Sequence, residues 1–280
     1  MTRIGRLVPV LLGVMLLTVG CSQNPNRVME KAVANMSDIE NYTLVMDTKM
    51  VTDIQGQEVV TVNATSETKG VLKPEPIISI TDKTILQYGE TKEDDETVSY
   101  VAKDGAAIAY YEQQGDKWYK IVVEDMSLLG DMVKKPNKIA KTFVNAIDSF
   151  KMVGETTISN KQCYSIEGTV AEDKFLEALK MLEEVQDLGL DEDTMKAIEV
   201  QSKEQIKIQF FVEKETGNLV AQKVDLGPIM KFGMEEILKN EQNETDVNSV
   251  ECEIKVTYEN INTTEAPIVP EEVYAAQILE

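Results

Sequence analysis

The chain has 280 residues, with 49 Asp or Glu against 28 Lys or Arg, a formal net charge of −21, no His, 3 Cys and 1 Trp. Without His there is no Ser-His-Asp or Cys-His catalytic centre and no His-ligated metal. The acidity argues against nucleic acid as a partner and against general attraction to anionic head groups, both of which call for clustered Lys and Arg.

The first 20 residues read as a leader. Arg3 and Arg6 precede an apolar run from Leu7 to Val19, which is too short to cross a bilayer core of ~30 Å as a helix and fits a signal peptide. Gly20 before Cys21 resembles a lipobox, although Thr18 stands where Leu is usual. Cleavage there would leave Cys21 to carry a diacylglycerol thioether, with residues 21–26 as a polar tether. Two or three acyl chains hold a protein on a membrane where one is marginal. An ordinary secretory signal with an incidental cysteine is the alternative. The lipobox reading places the chain on the extracytoplasmic face of the cell membrane, lipid-anchored.

Residues 27–280 read as one domain. Val28, Met29, Ala32, Val33, Met36 and Ile39 recur at helical spacing over Asn26 to Ile39. The period then falls to two: Tyr42, Leu44, Met46 and Met50 form one side of a strand, and Val60, Val62 and Ala64 one side of the next. Ile77 to Tyr88, Thr97 to Ala102, Ala106 to Gln113 and Trp118 to Val123 extend this to an antiparallel meander of about six strands. Gly89, Asp104-Gly105 and Gly115-Asp116 supply its turns.

Pro136 suits a helix start, with Ile139, Phe143, Ile147 and Phe150 as its stripe. Strands follow near Phe150 to Ile158 and Gln162 to Val170. Helices are expected around Phe175 to Val185 and Asp191 to Glu199. Ile206 to Val212, Leu219 to Leu226 and Val250 to Tyr258 read as strands, with a helix opened by Pro228 before the last. Glu90 to Glu96 and Asn240 to Asn248 read as loops. Runs of strands separated by helices give an α+β class: a curved antiparallel sheet with helices on its concave side.

The lipobox, first helix, long meander, inserted helices and last strand together resemble the LolA-like lipoproteins, in particular an uncharacterised Gram-positive group. Ala266-Pro267-Ile268-Val269-Pro270-Glu271-Glu272-Val273 is similar to the tail of that group. The resemblance, spanning Arg27 to Val273, implies an incomplete β-barrel closed by helices and a non-enzymatic protein that holds a lipid or other apolar molecule. Fold analogy alone carries that function.

Of 13 methionines, only Met1 and Met15 fall in the leader. Flexible thioethers suit a deformable apolar lining, and they equally fill an ordinary core. The expected cavity walls are Leu44, Met46, Val60, Val62, Ile208 and Phe210 from strands, with Met230 and Met234 from a covering helix. Cys163 and Cys252 are expected to form a disulfide, which would close a loop of about 90 residues and stabilise the fold by roughly 4 kcal/mol in the chain-entropy model; two separately buried thiols are the alternative.

Glu93-Asp94-Asp95-Glu96 and Asp191-Glu192-Asp193 lack the spacing of a calcium loop and read as a solvated turn and a helix start. No cofactor motif and no nucleophile elbow is present, so neither metal nor cofactor is expected. The alternative to a lipid binder is a protein-interaction or envelope-sensor module with a filled interior and an envelope protein as partner; an enzyme is the third reading.

Overall fold

The computed structural model describes residues 23–123, 136–186, 192–201, 206–240 and 245–279. The expected signal peptide and Cys21 lie outside the described residues. Helix α1 (Pro25–Asn35) starts where the Asn24 side chain accepts from the Asn26 N–H at 3.0 Å. It buries Val28, Met29 and Ala32. The helix stops before Ile39; Met36 and Ile39 are nevertheless buried.

The meander follows as β1 (Asn41–Ile54), β2 (Val60–Val71), β3 (Ile77–Tyr88), β4 (Thr91–Asp104), β5 (Ala107–Gln114) and β6 (Lys117–Val123). The acidic run expected as the loop Glu90 to Glu96 is instead mostly strand. Gly89 and Glu90 make a two-residue turn, so Tyr88 faces Thr91 and Lys83 faces Glu96. Both faces of β4 are exposed there, so the carboxylates pair as a strand without losing water, and Lys83 lies 3.8 Å from Glu96.

Next come α2 (Pro136–Asn145), β7 (Ile147–Ile158), β8 (Lys161–Val170), a 3₁₀ turn at Glu172–Lys174, α3 (Phe175–Gln186) and α4 (Glu192–Gln201). The chain continues through β9 (Lys207–Glu213), β10 (Leu219–Asp225), α5 (Gly227–Asn240) and β11 (Val247–Glu259), and ends with α6 (Glu271–Tyr274) and β12 (Gln277–Ile278). Ile147 and Phe150, expected on the α2 stripe, belong to β7.

These strands form one sheet in the order β12-β6-β5-β4-β3-β2-β1-β11-β10-β9-β8-β7. Every pairing is antiparallel except β12 with β6. The long ladder between β1 and β11 zips the meander to the second half. The sheet is open and curved, with the long helices on its concave side, and it does not close into a barrel.

Period-two alternation sorts side chains between the two faces. On the concave face Tyr42, Leu44, Ile166, Ile208, Phe210 and Val256 pack with Met29, Phe143 and Ile229 from helices in one continuous core. The Tyr42 ring lies directly over Gly70, where a Cβ would come within 3.0 Å of it. On the convex face the C-terminal tail covers the meander. Val273 is fully buried with Ala102, Ala109 and Tyr111, and Tyr274 meets the Tyr111 ring edge-on at 5.8 Å.

The expected disulfide is not formed: Cys163 and Cys252 are both free and buried. Cys163 packs on the convex face with Phe211, Val220 and Ala221, whereas Cys252 belongs to the concave core. Strands β9 and β10 also separate β8 from β11, a spacing of about 14 Å at the usual strand separation. A disulfide needs facing Cβ atoms and Cα atoms within about 7 Å.

Candidate functional site

Of the eight side chains expected to line a cavity, the structure packs five into the core. Leu44, Met46, Ile208, Phe210 and Met230 are 0–1% exposed. Phe210 meets Phe150 edge-on at 5.9 Å. The helices over β7 to β11 come close enough for their own side chains to fill that half of the concave face.

The other half differs. Cross-strand register sets Cys252, Met50, Val62 and Leu86 in one row across β11, β1, β2 and β3. A second row holds Val250, Thr52, Val60 and Tyr88. Exposure rises outward along both. Cys252 is buried, Met50 and Val62 are half-buried, and Leu86 and Tyr88 are 37% and 50% exposed. Val59, at the turn beside them, is also exposed. On the inner side α5 packs against β11, and its Met234 and Leu238 lie half-buried against the core. The result is an apolar strip that begins at the covered core and runs onto open sheet. Glu93 and Asp95, opposite Leu86 and Thr84 on β4, form its acidic border.

Two expected residues, Val60 and Val62, therefore stand in this strip, and a third, Met234, lies on the helix that packs against β11. Leu86 and Tyr88 were missed as site residues, whereas Met50 already reads on the inward side of β1 but is not named as a wall. The signal for Leu86 and Tyr88 was the alternation of β3 once it is aligned with β2. The strip offers hydrocarbon, thioether and phenol, so its chemistry is burial of apolar surface.

Elsewhere the concave core holds groups that stay neutral. Burial pushes the Cys252 thiol up to about 12, with Asp225 adding to the effect. Burial also raises the Tyr42 and Tyr258 phenols. The Gln222 amide and the Tyr258 hydroxyl make no hydrogen bond among the described residues. Also among the described residues, no group of three acid or thiol side chains is placed to hold a metal. Strand alternation sends Glu93 and Asp95 to one face and Asp94 and Glu96 to the other, so this run cannot converge on an ion. No helix among the described residues is long and apolar enough to cross a membrane.

No curated protein matches this sequence. Among solved structures, the chain is similar to LprF from Mycobacterium bovis, with 10% identity over 89% of this chain and 96% of that one and a TM-score of 0.47. It is similar to the lipoprotein LppX from Mycobacterium tuberculosis, with 10% identity over 88% and 99% of the two chains and a TM-score of 0.41. A LolA superfamily protein from Nitrosomonas europaea matches at 8% identity over 89% and 96%, with a TM-score of 0.23. A family model covers residues 24–277, and on that match the chain belongs to the family of unknown function DUF6612.

Proposed function

We propose that this chain is a non-enzymatic lipoprotein, held by acylated Cys21 at the extracytoplasmic face of the cell membrane, that lays an acyl chain or similar apolar molecule along the strip from Met234 and Met50 to Leu86 and Tyr88. The observation that carries this reading is the exposed apolar row on an otherwise highly charged chain: Leu86 and Tyr88 reach solvent on the same face as the buried core. Each methylene removed from water contributes about 0.8 kcal/mol before ordering costs. An acyl tail on an open strip buries about half its surface, so ten methylenes would contribute roughly 4 kcal/mol.

The experiment is titration of the protein lacking its acylated cysteine with a fluorescent fatty acid. Leu86→Asp with Tyr88→Asp should weaken binding at least tenfold, since each change removes about 1.5 kcal/mol of apolar contact. Ile278→Asp, on the exposed edge strand, should leave binding unchanged. No uptake by the unaltered protein, or equal uptake by the double variant, would reject the reading. The filled core over β7 to β11 favours a second reading, in which the strip docks an apolar segment of an envelope protein. Failure of lipid uptake combined with strip-dependent capture of a peptide would select it.

A further inference from the structure

Beside the start of α1, away from the apolar strip, lies a cavity of about 550 Å³ lined by Arg27, Lys31, Tyr164, Glu213, Lys214 and Gly217, among others. Three cations around one hollow are unexpected in a chain of net charge −21. The one carboxylate in the wall is already engaged: Glu213 accepts from the Thr216 hydroxyl at 2.7 Å and lies 3.5 Å from the Lys161 amine. Lys214 is paired with Glu155 and sits 5.2 Å above the Tyr164 ring. Arg27 and Lys31, one helical turn apart, have no ion-pair partner among the described residues. Lys31 lies across Gly217, where a Cβ would come within 2.7 Å of its Cε and Nζ. Asn35 on the same helix donates to the Thr216 carbonyl and, at 2.9 Å, to the Asn218 side chain. The helix is thereby pinned to the β9–β10 turn, and the hollow has firm walls.

We propose that this cavity binds a phosphate ester, with the Arg27 guanidinium and the Lys31 amine as its two charge partners. A guanidinium can meet two phosphate oxygens at once, and the amine adds a point charge. The volume suits a small head group. Two sources fit that chemistry: a soluble phosphate ester and the head group of an anionic phospholipid. The second rests on the lipid-anchor reading, because Gln23 in the cavity wall is two residues from Cys21.

The test uses the full chain in a nonionic maltoside detergent, titrated calorimetrically with glycerol 3-phosphate, short-chain phosphatidylglycerol and, as control, short-chain phosphatidylcholine. Binding of an anionic compound should exceed the phosphatidylcholine control and fall at least tenfold in Arg27→Glu with Lys31→Glu. The milder Arg27→Gln with Lys31→Gln should show the same direction. Both side chains are exposed, so the fold should persist, as circular dichroism would verify. Equal binding of the two anionic compounds supports the cavity with a soluble ester as ligand, and preference for phosphatidylglycerol supports the head group. Heats no larger than the control, or binding indifferent to both pairs of substitutions, would overturn the proposal. The apolar strip shares none of these residues, so the two readings fail separately.

Discussion

Gln222 is 1% exposed on the concave face of β10, between Val256 of β11 and Phe210 of β9. Both polar atoms of its amide lack a hydrogen bond among the described residues. Burying an unpaired amide costs about 1–3 kcal/mol on the protein scale. Methionine has similar volume and adapts its shape, so Gln222→Met removes that cost while adding little packing strain. The expected gain is about 1–2 kcal/mol, which for a domain of this size raises the melting temperature by roughly 2–8 °C. Urea unfolding is the assay: the midpoint should rise with an unchanged slope. Gln209→Met is the contrast, because that amide donates to the Ser165 hydroxyl at 2.8 Å on the convex face; its loss should be neutral or destabilising. A fall of 1 kcal/mol or more in Gln222→Met would show that the amide is paired in solution, and the picture of a filled, dry core at this point would be wrong.

Gly70→Ala should lose about 1–3 kcal/mol, because its methyl would press on the buried Tyr42 ring; a midpoint at or above the original would show that the ring yields. In the folded protein Cys163 and Cys252 should resist alkylation at pH 8, and unfolding without reductant should expose two free thiols. A missing pair of thiols would restore the bridge. Stability should also fall in alkali. Cys252 moves from 9.0 to about 12 through burial, and Tyr111 from 10.0 to about 12 through burial and then the nearby Asp104 carboxylate. The unfolded chain loses these protons first, so it binds fewer protons than the native state as pH rises. Their contribution is intact below pH 9 and lost as pH climbs toward 12. Urea midpoints from pH 8 to 11.5 would check this, with a shallower decline in Cys252→Ala; a flat or rising profile would contradict it.

The meander was legible because each strand keeps one wet face. Tyr42, Leu44, Met46 and Met50 share one side of β1 while Thr43, Asp47 and Lys49 lie on the other, and the glycine turns fall between such runs. Ile147 and Phe150 misled because three residues apart is a helical interval. In a plain strand it would put them on opposite faces, but a bulge between Ile147 and Ser149 returns both to the concave side. The acidic start of β4 has no apolar residue to mark it and takes its structure from pairing with β3.

The candidate site was half legible for a related reason. Period two groups Leu44 with Met46 and Val60 with Val62, yet it carries nothing about what lies above them. Helices fill the space over Leu44, while Val62 leads out to Leu86. The cysteine pairing failed likewise, since the β9–β10 hairpin that separates β8 from β11 is a matter of sheet order rather than of spacing. The cations around Arg27 come together only when α1 docks on the β9–β10 turn, which joins residues nearly 190 positions apart.

The most direct test of the central claim is photo-crosslinking with a diazirine fatty acid, followed by peptide mapping. Labels should concentrate on the peptides carrying Val59, Val60, Val62, Leu86 and Tyr88, and an excess of unlabelled fatty acid should displace them. Labels confined to the convex face, or spread without competition over the whole surface, would contradict the account.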